Sequence, residues 1–323
     1  MSSAPVRIGV IGAGAMGGSH ARMLTRWVPA AGVALVHDFD AASAARVAAE
    51  VGAESVGSAK ELIDAVDAVV ITSPDPTHEE LALACVAAGR PVLCEKPLAV
   101  DVDGAARVVA AEEATGRALV QVGFMRRYDP AYVAMRAAVL AGRVGRPLVV
   151  HCVHRNAVAH PSVTSDGIVS NSMIHELDCV PWLLDDPITA ITVASPRAEG
   201  LRDPQVALLE TAGGTLVTVE VFVNAGYGYD VRCEVVGAAG TVRLTPPYGL
   251  AARTEGGDGL LVSADFVARF ADAYRTELAG WVEGLQRGVV DGPTARDGYR
   301  AAVVAACGVE SLHTGARVEV PQT

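Results

Sequence analysis

Three glycines near the start of the chain have the spacing of a phosphate-binding turn. Gly12, Gly14 and Gly17 follow an apolar run over residues 6–12 and open an alanine-rich stretch over residues 15–27. In a strand–turn–helix unit, such glycines allow a tight turn and let the backbone approach a pyrophosphate. A glycine-rich turn that binds nothing is the alternative, since the chain contains 33 glycines.

An acid at the end of the second predicted strand favours the phosphate-binding interpretation. Asp38 lies roughly 20 residues beyond Gly17, where dinucleotide-binding units place a carboxylate that accepts hydrogen bonds from the adenosine ribose. Phe39 follows it, at a position where an arginine would favour a 2′-phosphate. The sequence therefore predicts an NAD site in preference to an NADP site.

A lysine in a Glu-Lys-Pro sequence is a candidate for proton chemistry. Lys60 and Lys96 are the only lysines of the chain, so arginine supplies nearly all of its positive charge. A lysine donates hydrogen bonds as a compact cation and shifts its pKa readily on desolvation, and arginine replaces neither property. A solvated Glu95–Lys96 pair on a surface loop is the alternative.

The elements that must position these residues alternate between strand and helix. Strand-like and helix-like stretches follow one another over residues 6–12, 15–27, 33–37, 41–50, 61–65, 68–72, 79–88, 91–94, 103–115 and 118–123. Fully apolar strands in this order predict an α/β fold with a doubly wound parallel sheet. The loops after residues 72 and 94 then lie at the carboxyl edge, where such sheets bind ligands. For Thr77 and His78 in the first loop, a turn and helix cap are the alternative.

The second half of the chain has a different pattern. Strand-like runs are predicted at residues 188–194, 206–210, 215–223, 231–236 and 241–244, and helices at 131–140, 172–184, 266–286 and 294–313. Gly213-Gly214 and residues 237–240 are typical of hairpin turns, which indicate an antiparallel or mixed sheet. We expect two domains, residues 1–122 and 123–323, with the possibility that the last helix packs on the first domain.

Composition excludes several classes of partner. The net charge of −11 disfavours nucleic acid, because binding a phosphate backbone requires an excess of Lys and Arg. No uncharged apolar run approaches the roughly 18 residues of a membrane helix, and residues 1–5 show no signal pattern. The six cysteines form no Cys-x-x-Cys pair, so we expect no disulfide and no metal site. These features predict a soluble, cytoplasmic protein.

Taken together, the motifs resemble one family. They are similar to the motifs of the Gfo/Idh/MocA family of NAD(P)-dependent sugar and polyol oxidoreductases. The residues that carry this resemblance are Gly12-x-Gly14-x-x-Gly17, Asp38, Ser73-Pro74-Asp75 with His78, and Glu95-Lys96-Pro97. Its inositol 2-dehydrogenase branch is similar in residues 121–130, 154–156, 173–178 with 182–183, and 227–230. The resemblance covers essentially the whole chain. It implies a Rossmann domain followed by an α+β domain with a large open sheet, and a homotetramer or dimer.

The resemblance also implies roles for particular residues. Lys96 would contact the reacting hydroxyl, and His175 would remove its proton while hydride leaves for NAD. Asn171 occupies the position where these dehydrogenases generally carry an acid. An asparagine can orient an imidazole but cannot stabilise an imidazolium by charge. Asp178, near the same helical face, could partly replace that charge or bind a substrate hydroxyl.

Two sets of binding residues follow from the resemblance. The expected cofactor residues are Gly12, Ala13, Gly14, Met16, Gly17, Asp38, Ser73, Pro74, His78, Glu95 and Lys96. The expected substrate residues are Arg126, Asn156, Asn171, Ser172, His175, Asp178, Tyr227 and Tyr229. myo-Inositol or a related cyclitol is the leading substrate. The alternatives are another polyol, an aminocyclitol precursor or a pyranose, and a dinucleotide-binding protein without turnover, which Asn171 would favour.

Overall fold

The computed structural model describes residues 4–245, 251–254, 257–260 and 262–322. The chain divides into two compact units. The first comprises Met1–Met125 and Asp272–Ala302, and the second comprises Arg126–Ala271 and Val303–Thr323. Among the described residues, no helix is long and apolar enough to cross a membrane.

The strands of the described residues form two large sheets and one hairpin. Their bounds are β1 (Val6–Ile11), β2 (Ala31–His37), β3 (Glu54–Ser55), β4 (Ala68–Ile71), β5 (Val92–Glu95), β6 (Val120–Gly123), β7 (Pro147–Arg155), β8 (Ile188–Ala194), β9 (Gln205–Thr211), β10 (Leu216–Phe222), β11 (Asp230–Gly237), β12 (Gly240–Arg243), β13 (Ala251–Thr254), β14 (Gly257–Leu260) and β15 (Val318–Glu319). The hairpin pairs β13 with β14.

The helices are distributed over both units. Their bounds are α1 (Ala15–Trp27), α2 (Ala41–Val51), α3 (Ala59–Ala65), α4 (His78–Ala87), α5 (Val102–Thr115), α6 (Pro130–Leu140), α7 (Ser165–Gly167), α8 (Ile174–Leu184), α9 (Phe266–Arg269), α10 (Ala271–Arg287) and α11 (Ala295–Thr314). Short 3-10 turns cover Asp75–Thr77 and Met125–Tyr128, and a π-helix covers Ile168–Met173. Side-chain caps begin several helices, as at Asp40, Ser58 and Asp101.

The first unit contains a parallel sheet in the order β3-β2-β1-β4-β5-β6. The chain reverses its winding direction between β1 and β4, and the loops after these strands therefore diverge at the carboxyl edge. Such a switch point is the usual ligand site of doubly wound sheets. Every residue of β4, β5 and β6 is buried, so these strands are covered on both faces.

The core of the first unit includes a segment from late in the chain. Leu278, Trp281 and Val282 of α10 pack in the same buried cluster as Ile8 of β1 and Leu24 of α1. The expected division at residues 122 and 123 allowed the last helix to pack on the first domain but did not include α10, whereas the first unit contains residues 272–302 with the start of α11. The apolar face of α10 accounts for the difference, because it buries its side chains against the first unit.

The second unit contains a mixed sheet in the order β12-β11-β7-β10-β9-β8-β15. Its neighbours are antiparallel except for β7 and β10, which are parallel. The interior strand β7 was not expected from the sequence, since it interleaves histidines, a cysteine and an arginine with its valines. The helix expected over residues 266–286 is interrupted at Phe270, which separates α9 from α10.

Candidate active site

The glycine loop, residues 12–17, connects β1 to α1 in the first unit. Gly12 has φ +100°, and a Cβ there would overlap the backbone of Thr72 and Ser73 after β4. The Gly12 N–H donates to the carbonyl of His37 at 2.8 Å. The Thr72 hydroxyl donates towards the carbonyl oxygens of Ile11 and Gly12, at 3.1 and 2.9 Å. The loop is therefore held by β2 on one side and β4 on the other.

The other two glycines of this loop differ in what surrounds them. A Cβ at Gly17 would overlap the carbonyl oxygen of Gly12, so this position requires glycine for close packing of α1. At Gly14, by contrast, a Cβ would have no neighbour within 4 Å. Gly14 is the exposed N-cap of α1 and makes no side-chain cap, so the helix N-terminus is open for an anion. These features fit the pyrophosphate of a dinucleotide.

Asp38 joins the end of β2 to the glycine loop. One carboxylate oxygen accepts the N–H of Ala13 at 2.5 Å, and the other accepts the N–H of Asp40 at 2.8 Å. Each oxygen has a further lone pair, so the carboxylate can still accept a hydrogen bond from a ribose hydroxyl. Phe39 beside it is fully exposed. Arg46 of α2 also reaches the loop, where it donates to the Ala13 carbonyl at 3.4 Å. This arginine has no signal directly beside Asp38, because it lies in the second turn of α2.

The loop after β4 is shaped by its own hydroxyl groups. The Ser73 and Thr77 hydroxyls lie 2.6 Å apart, and Thr77 donates to the Pro74 carbonyl at 2.8 Å. His78, the first residue of α4, is 1% exposed. Its ring nitrogens lie 2.8 Å from the Ser73 carbonyl and 2.7 Å from the Pro97 carbonyl. Both nitrogens are engaged by backbone carbonyl groups and so are not available to the cofactor, and the expected contact itself stays a prediction.

The Glu-Lys-Pro loop, Glu95-Lys96-Pro97, follows β5 at the same sheet edge. The Glu95 carboxylate is buried and lies 2.8 Å from the His20 ring of α1. Lys96 is half-buried, and the Lys96–Pro97 peptide bond is cis. The alternative of a fully solvated Glu–Lys pair is therefore wrong for Glu95, which ties this loop to α1.

In the second unit, Asn171 and Ser172 lie in the π-helix and His175 lies at the start of α8. Residues four apart, such as Asn171 and His175, share one face only where an α-helix covers both positions. Here the α-helix begins at Ile174, and the π-helix before it bonds i to i+5 and turns more widely. His175 is buried, whereas Asn171 and Ser172 are half-buried. π-Helical segments occur frequently at functional sites.

A buried charged network lies next to His175. Arg126 is 1% exposed and pairs with Glu176, the residue after His175. The His154 ring of β7 lies 3.3 Å from both Arg126 and Glu176, and its centroid is 6.0 Å from that of His175. Burial opposes ionisation of Glu176, but Arg126 and His154 outweigh it and lower the pKa of the carboxyl. Arg126 therefore stabilises the start of α8 through Glu176, and its expected contact with substrate stays a prediction.

Two further substrate candidates are also engaged within the second unit. The Asp178 carboxylate accepts two hydrogen bonds from Arg127, one of them at 2.9 Å, so its charge is compensated. Tyr229 is buried, and its ring packs against His154, Phe266 and Phe270. These contacts hold both side chains within the second unit, and direct substrate binding by Asp178 and Tyr229 stays a prediction.

Asn156 and Tyr227 stay nearer the surface. The Asn156 backbone donates to the Phe222 carbonyl at 3.0 Å, and its side chain is half-buried. The Tyr227 hydroxyl donates to Asp230 at 2.7 Å and accepts from Arg155 at 3.0 Å. Tyr227 is half-exposed and its ring remains available to a ligand.

Both units match known sequence families. The model of an oxidoreductase family with an NAD-binding Rossmann fold matches residues 6–124, and that of its C-terminal α/β domain matches residues 136–320. The chain belongs to the Gfo/Idh/MocA oxidoreductase family. It is an NAD-binding enzyme with the Rossmann and α+β architecture that the sequence predicted.

Individual members of the Gfo/Idh/MocA family are similar over their full length. Inositol 2-dehydrogenase 1 of Saccharopolyspora erythraea is 51% identical, over 98% of this chain and 96% of the relative. Inositol 2-dehydrogenase of Streptomyces avermitilis is 47% identical, over 97% and 94%. The crystal structure of myo-inositol dehydrogenase from Lactobacillus casei in complex with NAD(H) and myo-inositol has a TM-score of 0.94 and 35% identity, with coverage of 99% of this chain and 98% of that one.

Proposed function

We propose that this protein oxidises one ring hydroxyl of myo-inositol, or of a closely related cyclitol, to the ketone with NAD as oxidant. The observation that carries the proposal is the likeness over both units to proteins named inositol 2-dehydrogenase, at up to 51% identity among those compared. A solved relative with NAD(H) and myo-inositol supports the same substrate class.

The first unit supplies the residues that would hold the cofactor. The pyrophosphate would lie on the exposed N-terminus of α1 at Gly14, and the adenosine ribose would bond to Asp38. The open space above Gly14 and the spare lone pairs of Asp38 make these two positions suitable. When bound, NAD accepts the hydride from the carbinol carbon. Ala13, Met16, Ser73 and Pro74 are assigned to the rim of the same site.

The proton chemistry is assigned to Lys96, His175 and Asn171. His175 takes the hydroxyl proton. At the same time the hydrogen of the C–H bond leaves with the bonding electron pair as hydride, and the C=O bond forms. Lys96 donates a hydrogen bond to the reacting oxygen, whose negative charge grows as the proton leaves. Asn171 accepts a hydrogen bond from the imidazole and fixes its orientation, with no charge to stabilise the imidazolium. Ser172, Asn156 and the Tyr227 ring are assigned to the substrate hydroxyls.

Kinetics with a substrate panel test this proposal. We expect turnover of myo-inositol with NAD, followed by the absorbance of the reduced nicotinamide, with kcat/KM about tenfold or more above that for pyranoses and for NADP. Oxidation of a pyranose but of no cyclitol would contradict the substrate. NAD binding without turnover of any member of the panel would contradict the assignment as a dehydrogenase.

The two lysines provide a matched pair for the mechanism. Lys96→Ala should lower kcat by about a hundredfold or more with little change in NAD affinity, because it removes a donor at the reacting oxygen. Lys96→Arg should not restore the rate, since a planar fork cannot take the same position. Lys60 is exposed and pairs with Asp64, so Lys60→Ala is the control and should leave kcat unchanged. A near-normal rate in either Lys96 variant would remove Lys96 from the chemistry.

The open face of the mixed sheet supports a homo-oligomer. Val206 and Leu208 of β9 and Leu216 of β10 lie on one face and are each 41–46% exposed. A second copy of this chain is the occupant we propose, and Leu208→Glu should lower the mass measured by light scattering. An unchanged mass in Leu208→Glu would contradict this interface.

We place the protein in the cytoplasm, because its six cysteines are all free thiols.

A further inference from the structure

Two buried histidines hold the Glu-Lys-Pro loop from two different helices of the first unit. His20 of α1 is fully buried, and its Nε2 lies 2.8 Å from Glu95 Oε1. The ring of Tyr274 packs at 5.5 Å from the His20 ring, which limits rotation of the imidazole. His20 therefore fixes the side chain of the residue that precedes Lys96.

The Glu95 carboxylate that His20 holds is also bonded to the backbone of Lys96. Its second oxygen, Oε2, accepts the N–H of Lys96 at 3.3 Å. The same oxygen is packed against β6, where a Cβ at Gly123 would approach it to 3.0 Å. One oxygen of Glu95 thus faces His20 and the other faces the amide of Lys96, and the carboxylate occupies space that a side chain at position 123 would need.

His78 fixes the other side of the loop. Its Nδ1 lies 2.7 Å from the Pro97 carbonyl oxygen, and its Nε2 lies 2.8 Å from the Ser73 carbonyl oxygen. Carbonyl oxygens only accept hydrogen bonds, so both ring nitrogens must donate, and only an imidazolium does so. Burial opposes this charge, but the neighbouring Cys94 and the two carbonyl acceptors outweigh it and raise the pKa of His78 to about 10.

We propose that His20 and His78 are positioning residues that set the place and environment of the Lys96 ammonium group. His20 acts through Glu95 on the amide of Lys96, and His78 acts through the carbonyl of Pro97. Neither histidine is proposed to touch substrate or cofactor. The inference depends on the role that the proposed function gives to Lys96, although its first test below does not.

Chemical labelling of the amines tests the positioning without any turnover. The chain has two lysines, and Lys60, with 85% of its side chain exposed, is an internal reference. Trace acetylation of the protein without added NAD, followed by peptide mass spectrometry, gives the ratio of labelling rates of Lys96 and Lys60. A shift of one pKa unit changes the reactive fraction about tenfold, so we expect this ratio to change roughly threefold or more in His20→Leu and in His78→Gln.

Two variants separate positioning from a general loss of structure. His20→Gln keeps an N–H donor within reach of Glu95 and should retain the original labelling ratio, whereas His20→Leu should not. In His78→Gln the side-chain amide carries both N–H donors on one nitrogen, so it cannot reach the carbonyl oxygens of both Ser73 and Pro97. His313→Gln is the surface control, since that ring is about half-exposed. An unchanged ratio in folded His20→Leu and His78→Gln would overturn the proposal.

Steady-state kinetics provide the second test. His20→Leu and His78→Gln should each lower kcat about tenfold or more, with the Kd for NAD within about threefold of the original. In the Lys96→Ala background the same changes should cause little further loss, because they act through a group that is already absent. Equal losses in both backgrounds would overturn the positioning role. If Lys96→Ala alone has full activity, the proposed catalytic role of Lys96 fails, while the labelling ratio still decides whether the two histidines position its amine.

Discussion

Two glycines of the same loop should respond to alanine in opposite ways. At Gly17 the new Cβ would overlap the carbonyl oxygen of Gly12, which is backbone and cannot rotate away. At Gly14 a Cβ has no neighbour within 4 Å, but it would stand where the backbone is expected to approach a pyrophosphate. Gly17→Ala should therefore damage stability, and Gly14→Ala should damage cofactor binding alone.

The size of each effect follows from these surroundings. Forcing a methyl group into a closed contact costs about 2–3 kcal/mol, which lowers Tm by about 4–12 °C in a unit of this size. Gly14→Ala changes only an N-cap residue, at a cost of less than about 1 kcal/mol. A methyl group against the pyrophosphate should weaken NAD binding about tenfold or more, which corresponds to about 1.4 kcal/mol.

Thermal unfolding without NAD and calorimetric titration with NAD measure the two effects separately. We expect a lower Tm in Gly17→Ala and a normal Tm with a raised Kd in Gly14→Ala. A normal Tm in Gly17→Ala would refute the packing argument. A normal Kd in Gly14→Ala would move the pyrophosphate away from the N-terminus of α1.

Three further changes test other parts of the site. Asp38→Ser with Phe39→Arg replaces a carboxylate with a cation, so the preference in kcat/KM for NAD over NADP should fall about tenfold or more, and an unchanged preference would contradict the role of Asp38. Asn171→Asp should move the acidic limb of the pH–rate profile of oxidation to higher pH, because a carboxylate beside His175 favours its protonated form. The same shift in a His175→Ala background would exclude an interaction between residues 171 and 175. The pKa of His78 is raised from 6.5 to about 10, so its stabilisation is complete below pH 6.5 and is lost as the pH rises towards 10. Urea unfolding of the unmodified protein and of His78→Gln should show a difference that shrinks over this range, and a growing difference would contradict an imidazolium.

The strands and helices of the first unit were largely predictable because each is a local pattern. Continuous apolar runs predicted β1, β4 and β5, and the helix over residues 15–27 has the predicted bounds. The strand β7 was missed, because its polar residues make sense only beside β10 and β11, which come much later in the chain. The π-helix before α8 likewise has no signature in residue type or spacing.

The candidate site shows the same limit at the level of side chains. The Glu-Lys-Pro sequence and the glycine spacing marked positions correctly at the edge of the sheet. Sequence alone could not show that Arg126 turns inward to Glu176, or that Asp178 is compensated by Arg127. Whether a side chain points into the core depends on packing partners that are distant in sequence. For these two arginines the partners lie about 50 residues away.

The placement of α10 has a consequence for how the protein is made. Trp281 emerges from the ribosome about 150 residues after the last strand of the parallel sheet, and it completes the core that contains Ile8 and Leu24. At synthesis rates of roughly 5–20 residues per second, the nascent first unit waits about 8–30 s with an apolar groove uncovered. A truncated chain that ends after β6 should therefore aggregate, and chaperones that bind apolar segments should associate with the nascent chain during this interval.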